Sequence, residues 1–455
     1  MNVIYFNPDE MRADVLGCYG HPLARTPAFD RLAAEGVRFD QCHVQHTVCT
    51  PSRCSFMTGW YPHTRGHRTL WHCLRPDEPN TLKYLKRAGY DVHWIGKNDL
   101  LAPQSFAESV TRVHAVTGQL GRSEDLFAPE QPGFMSFLRG PMDGHNHDWH
   151  GATEAVRFLE SRRPGDRPFF LFLAFGFPHC PYTCPEPYYS MYDPDDLPPL
   201  RPAELPGKPD FHQAIRRYRR LDELDEGVFR KIMAVYLGMV SYVDAMFDRV
   251  LEALDRTGLA DDTAVVFFSD HGDWAGDYGL VEKWPSGLDD CLTRIPMVVR
   301  TPGCAAGHVV REPVECFDIM PTTLELAGVA CEHVHHARSM MPQLRGAPGD
   351  AGRAVFAEGG YDPHEPHCFE GKNIAGDIGS NPKGIYWPKG LQQQQRPETV
   401  RCATMIRTAS GKLIRRPGGQ HELYDLLADP RELHNLWDDP RAAGLRAELT
   451  ERMLD

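Results

Sequence analysis

The chain has 455 residues, 42% of them hydrophobic and 24% charged, and a formal net charge of −13 with a pI near 5.9. That length exceeds one simple domain, so a large domain and a smaller one are expected. An acidic surface repels phosphate backbones and excludes nucleic acid as a partner; an anionic substrate would need a local cluster of cations or a metal.

The opening MNVIYFNPDEMRAD has no basic segment followed by an apolar one, and no run of about 18 apolar residues occurs, so neither an export signal nor a membrane span is expected. The 13 cysteines are odd in number and form no CxxC pair, the pattern of reduced thiols in a cytoplasmic protein. Cys180 and Cys184 read as two loop thiols. NVIYF (2–6) predicts a buried strand. Residues 26–36 predict a helix, with Thr26 as N-cap, Pro27 at the first position, Phe29, Leu32 and Ala33 on one face and Gly36 at the end. Asn80 to Gly89 repeats that logic. DVHWIG (91–96), PFFLFLAFGFP (168–178), TAVVFFSDHGD (263–273) and IPMVVRTPG (295–303) predict strands, and 242–258 an amphipathic helix.

This alternation predicts an α/β domain over 1–350, a large mixed, mostly parallel sheet sandwiched by helices, with active residues in loops at the carboxyl ends of strands. After 350 the texture changes to shorter strands (RAVFAEGGY, VRCATMIRT, GKLIRRP) and a last helix, PRAAGLRAELTERML. Residues 351–455 predict a smaller α+β domain packing near the active site, with 360–397 as a long loop.

Two acidic clusters end two predicted strands: Asp9-Glu10 after NVIYFNP and Asp270-His271 after TAVVFFS. Each alone fits a helix cap; together at strand ends they suit one divalent cation. Lys97, His179 and Lys283, each in a loop after a strand, suit an anion, although an exposed lysine is by default only solvated. In TVCTPSRCSFMTG (47–59), Cys49 stands at the threshold of a helix. Buried thiol, nucleophile and precursor of something else are all open to it.

CTPSR followed by CSFMTG resembles the signature of the type I sulfatases, within the alkaline phosphatase superfamily. The resemblance runs over nearly the whole chain, through NVIYFNPDEMRAD, GYDVHWIGK, PHCP, SDHGD, Lys283, RIPMVVRTPG, FDIMPTTLELAG and ELYDLLADPRELHNL, in the family's order. It implies a sulfuric ester hydrolase in which a maturation enzyme oxidises Cys49 to formylglycine. One hydroxyl of the hydrated aldehyde would attack sulfur and the other would later expel sulfate. Arg53 would pair with the modified side chain or the anion. Lys97, His179 and Lys283 would bind sulfate oxygens, and one of them would protonate the leaving alkoxide. Asp9, Glu10, Asp270 and His271 would hold one divalent metal, Ca²⁺ before Mg²⁺ or Mn²⁺. The substrate would be a small-molecule or saccharide sulfate ester.

The chain departs from that pattern at four places. Thr47 replaces a small residue, Val92 a hydroxyl residue, Glu10 a second aspartate, and Asn98-Asp99 a histidine shortly after Lys97. Asn98 and Asp99 are expected on the substrate side. Asp99 would either pair with Lys97, pointing away from sulfate, or meet a hydroxyl beyond it. The alternative is a phosphonate monoester or phosphodiester hydrolase of the same superfamily; the remote one is a non-catalytic sulfated-ligand binder with unmodified Cys49. The histidines of 143–151 and 361–369 are expected in solvated loops.

Overall fold

The structure, a computed structural model, describes residues 1–126, 137–163, 165–362, 382 and 386–454. The main sheet contains β1 (Asn2–Asn7), β2 (Val37–His43), β3 (Asp91–Gly96), β4 (Arg112–Val113), β5 (Phe169–Ala174), β6 (Thr263–Phe268), β7 (Arg294–Ile295), β8 (Met297–Arg300) and β9 (His308–Glu315). Its order is β4-β3-β5-β1-β6-β8-β2-β7, with β9 beside β2. β1 runs parallel to β5 and β6, and β3 parallel to β5, so their carboxyl ends share one edge.

The apolar runs are continuous because both faces are covered. Ile4 and Phe6 of β1 face one core with the Glu226–Thr257 helix, while Val3 and Tyr5 face a second core with Phe56 and Met57 of the Cys49–Thr58 helix. Phe6 is fully buried among Phe29, Phe175 and Phe247, so its truncation to alanine would cost about 3–5 kcal/mol.

Three elements differ from expectation. The 295–303 run is antiparallel to β6 and β2 and is broken at Pro296, which has no N–H for the ladder. The 242–258 pattern is the second half of a helix that begins at Glu226; from Ile232 to Asp244 every residue is buried, so that stretch shows no apolar stripe. Thr26 does not cap the Pro27–Glu35 helix. Its hydroxyl donates to Asp30 Oδ1 at 3.3 Å, and the cap comes from Asp244, which accepts from Ala28 N at 3.2 Å and Phe29 N at 2.8 Å. Asn80 does cap its helix, accepting from Lys83 N at 2.9 Å.

The C-terminal region forms a separate antiparallel sheet of β10 (Val355–Gly359), β11 (Ala403–Arg407), β12 (Gly411–Arg415) and β13 (Glu422–Asp425). The Ala443–Leu454 helix covers it through Leu449. Asp290 ties the region to the main sheet, at 3.1 Å from Arg407 and 2.9 Å from Lys412. Among the described residues no helix is long and apolar enough to cross a membrane.

Candidate active site

The shared carboxyl edge brings the predicted site residues together. After β1 the chain turns sharply at Glu10, whose φ of 62° is unfavourable for a residue with a Cβ. The Tyr236 hydroxyl donates to the Glu10 carbonyl, and Glu10 N donates to Asp270 Oδ1 at 3.2 Å. The turn sends the two carboxylates to different partners. After β3, Gly96 has φ 110°, and a Cβ there would lie 2.0 Å from the Ala174 carbonyl oxygen; only glycine lets Lys97 enter the site beside β5.

Cys49 is the first residue of its helix, which no side chain caps; the first-turn dipole therefore faces the site. Pro51 has no N–H to leave unpaired in that turn. Ser52 anchors the helix by donating to the Asp270 carbonyl. The Cys49 thiol is buried, 3.6 Å from Asp9 Oδ1 and 3.3 Å from His271 Nε2. Burial and then Asp9 push the thiol well above its ordinary pKa, so unmodified Cys49 is a poor thiolate.

Asp9, Cys49, Asp270 and His271 each offer an atom within 4.8 Å of all the others, and all four are buried. The His271 Nδ1–H donates to the Gly272 carbonyl at 2.9 Å, which leaves the Nε2 lone pair facing this cluster. Burial lowers the pKa of His271, keeping the ring neutral as a ligand must be. Two buried carboxylates, one imidazole and the atom at position 49 suit a divalent ion, and the oxygens suit Ca²⁺, Mg²⁺ or Mn²⁺. Arg53, fully buried, closes the back of the cluster, 2.8 Å from Asp270 Oδ2 and 3.3 Å from Asp9 Oδ2.

Glu10 lies outside this group of four. Its carboxylate takes the Lys283 ammonium, accepts from Cys180 N at 3.4 Å and stands 3.6 Å from His179 Nε2. Glu10, His179 and Cys180 also cluster, but the Lys283 ammonium sits on two of them, 2.9 Å from His179 Nε2. The His179 Nδ1–H donates to the Cys180 carbonyl at 2.6 Å, so its Nε2 accepts from Lys283. Burial and then Lys283 lower the His179 pKa to about 4.

The charges form two chains of ion pairs. On one side Asp270, Arg53, Asp9, Lys97 and Asp99 alternate, three carboxylates to two cations. On the other, among the described residues, Glu10 and Glu282 meet Lys283, Arg219 and Lys389. The first side is short of positive charge, as a cation site should be; the second gathers cations beside the cavity, as an anion site should. Burial opposes charge on Lys97 and Lys283, but their acidic neighbours outweigh it and hold both as ammonium groups.

A cavity of about 470 Å³ opens over Cys49, Lys97, His179 and Lys283. Leu70, Trp71, Cys73, Glu282, Tyr386, Lys389 and Gly390 also line it. Asp99 lines it and lies 2.7 Å from Lys97 Nζ. Asn98, at the same wall, spends its side chain on the turn: Nδ2 donates to the Leu101 carbonyl at 2.8 Å, and Oδ1 accepts from Leu100 N at 3.2 Å and Leu101 N at 3.0 Å. Thr47 donates to the Gly287 carbonyl at 2.8 Å, and Val92 is buried within β3.

Of the histidine-rich stretches, His145 stacks on Trp149 at 4.1 Å and bonds the Tyr242 hydroxyl at 2.8 Å, whereas 363–369 lies outside the described residues. Cys180 and Cys184 are free and buried. Glu282, Arg219, Tyr386 and Lys389 were not singled out by sequence. Lys389 lies on the Trp387–Gln395 helix, whose WPKGLQQQQ carries no charge pattern pointing to a site.

A mostly parallel sheet with metal donors and cations gathered at its carboxyl edge defines a hydrolase of the alkaline phosphatase superfamily. The chain belongs to the sulfatase family, the enzymes that hydrolyse sulfuric esters, and matches that family over residues 1–329. It is 28% identical to the multifunctional alkaline phosphatase superfamily protein PehA of Trinickia caryophylli, over 100% of this chain and 94% of the relative. It is 29% identical to mouse (Mus musculus) iduronate 2-sulfatase over 77% of this chain and 69% of the relative. Its fold superposes on the phosphonate monoester hydrolase of Agrobacterium radiobacter with a TM-score of 0.79 at 24% identity, covering 100% of this chain and 94% of the other.

Proposed function

We propose that the protein hydrolyses the sulfate monoester of a small molecule or saccharide, using formylglycine made from Cys49 and one divalent ion held by Asp9, Asp270, His271 and residue 49. One observation carries this reading. The side chain at position 49 lies at once within reach of the metal donors, at an uncapped helix start, and on the floor of a cavity walled by Lys97, His179 and Lys283. The ion, Ca²⁺ before Mg²⁺ or Mn²⁺, would supply positive charge that favours the ionised form of a hydroxyl at position 49.

The chain's own residues divide the remaining work. Lys97 and Lys283, both ammonium groups, take the sulfate oxygens from two sides. The leaving oxygen takes its proton from the Lys283–His179 pair: His179 Nε2 holds a lone pair at rest, so the pair's one mobile proton resides on Lys283. Glu10 holds that pair in place from behind. Arg53 neutralises Asp9 and Asp270, limiting repulsion between the anion and the carboxylates beneath it.

A second reading, hydrolysis of phosphonate monoesters or phosphodiesters, is supported by the likeness to the phosphonate monoester hydrolase SpPMH of Silicibacter pomeroyi, 25% identical with a TM-score of 0.76 over 100% of this chain. The test is a panel of aryl sulfates, sugar sulfates, phosphonate monoesters and phosphodiesters, run on protein whose intact mass shows Cys49 converted. Sulfate esters are expected to give the highest kcat/KM. A higher value on phosphonates would transfer the assignment to the second reading.

A further inference from the structure

The loop after the Cys49–Thr58 helix carries a large side chain that packing does not account for. Trp71 lines the cavity and stays 41% exposed. Among the described residues no ring stacks on its indole and no group accepts from its N–H. A large apolar side chain left open at a site is a contact surface for a ligand. The loop beneath it is fixed at both ends. The Leu70 carbonyl accepts from the Thr50 hydroxyl at 3.1 Å, one residue from Cys49. Leu74 N donates to the Leu100 carbonyl at 2.8 Å, and the Leu74 carbonyl accepts from Ala102 N at 3.0 Å, a few residues past Lys97. Trp71 is thus tied to the nucleophile helix and to the stretch after Lys97, and a ligand need not order it first.

The polar side chains that line the cavity beyond the sulfate end are already engaged. Asn98 serves its own turn, Asp99 is paired with Lys97, and Glu282 is shared by Arg219 and Lys389. Leu70 and the ring of Tyr386 add apolar surface. A polyhydroxylated alcohol would lose water from several hydroxyls and find few unengaged partners here; a flat apolar ring loses little and gains the face of the indole. We propose that Trp71 is a specificity-determining residue: it binds the alcohol portion of the ester and selects leaving groups that carry a flat apolar ring over small or polyhydroxylated ones. This rests on the sulfatase reading for the reacting group.

The probes are two sulfonates, phenylpropanesulfonate and propanesulfonate, titrated calorimetrically into matured, metal-loaded protein. Their carbon–sulfur bond is not an ester, so affinity is read without turnover. The natural chain is expected to bind the phenyl compound about tenfold tighter than the other. Trp71→Ala is expected to remove most of that preference, and Trp71→Phe to keep it within about threefold. Turnover is compared on the esters of two primary alcohols, whose leaving oxygens are of similar basicity. Phenylethyl sulfate is expected to exceed glucose sulfated at its primary hydroxyl in kcat/KM. An unchanged preference in Trp71→Ala, or a higher kcat/KM of the natural chain on the sugar ester, overturns the proposal. Should Trp71→Ala fail to fold, Trp71→Leu, which keeps bulk but no flat face, takes its place under the same criterion. Failure of the sulfatase reading would show separately, as absence of hydrolysis of both sulfate esters and not as a lost preference between the sulfonates.

Discussion

Cys49 Sγ lies 3.3 Å from Nε2 of His271, on the side where that ring carries its lone pair. In the proposed reading, a nucleophile precursor and a metal donor would thus be fixed against each other by two different elements, a helix start and a strand end. Cys49→Ala removes the precursor and leaves Asp9, Asp270, His271 and their hydrogen bonds in place. Turnover is expected to fall at least about a thousandfold. The free energy of chemical unfolding should change by no more than about 1 kcal/mol, because only one buried sulfur is lost. Near-native turnover in this variant would end the formylglycine assignment.

Asp270 accepts from Arg53 Nε at 2.9 Å and faces the cluster of candidate metal donors with the same carboxylate. Asp270→Asn keeps the shape and loses the charge. Bound metal, counted per chain by elemental analysis after dialysis, should drop from one ion to near none, with activity falling alongside. Stability should also fall, by about 3 kcal/mol, because Arg53 keeps its full burial with one carboxylate fewer. A full complement of metal in the variant would refute the donor assignment.

The parts of this site that could be read in the sequence are those that follow strands. Asp9, Lys97, His179, Asp270 and His271 lie within a few residues of the ends of β1, β3, β5 and β6, and parallel pairing alone brings such ends together. Lys389 and Tyr386 could not be found in this way. They reach the cavity from a region about 290 residues beyond Lys97, through packing that leaves no periodic mark. The two fates of Asp9 and Glu10 were hidden for another reason: adjacency suggests a shared ligand, while the positive φ at Glu10 separates them. β2 and β9 were hardest to read, because VRFDQCH and HVVREPVE mix polar and apolar residues, and the 295–303 run was read as one strand although Pro296 splits it.

The Asp244 carboxyl gives the fold a pH dependence. It is buried at the start of the Pro27–Glu35 helix, and burial, offset by the Phe29 and Ala28 amides and reinforced by Asp30 and Asp248, raises its pKa from 3.8 to about 7. A raised carboxyl pKa means that the folded chain holds the proton more tightly than the unfolded one. The resulting stability is full below about pH 4 and is lost as the pH rises through about 7. Asp244→Asn has no such proton. Across that window the variant should gain on the natural chain by up to about 4 kcal/mol, at 1.36 kcal/mol per pH unit. Denaturant unfolding of both proteins at the two ends of the window measures it. A constant difference would show that Asp244 is ionised throughout.

Asp99 stands in the stretch after Lys97 where the resemblance to the sulfatases leads one to expect a histidine. Its carboxylate lies 2.7 Å from Lys97 Nζ, and Lys97 is also held by Asp9, so one ammonium serves two carboxylates and an incoming anion. Burial works against the Asp99 charge, but Lys97 and then Arg53 lower its pKa, and it stays ionised. A negative charge at this wall repels sulfate while it holds Lys97 steady. Asp99→Asn keeps a polar group beside Lys97 and removes the repulsion. KM is expected to fall by about twofold to fivefold, since one charge removed a few ångströms from the anion is worth about 1 kcal/mol in a partly wet cavity. kcat should fall by no more than about fivefold, as Lys97 is left to Asp9 alone. Because Asp99 acts through Lys97 on the sulfate end, the change should be the same for a small aryl sulfate and for a bulkier sugar sulfate. A rise in KM confined to the bulkier ester would instead place Asp99 against the leaving group.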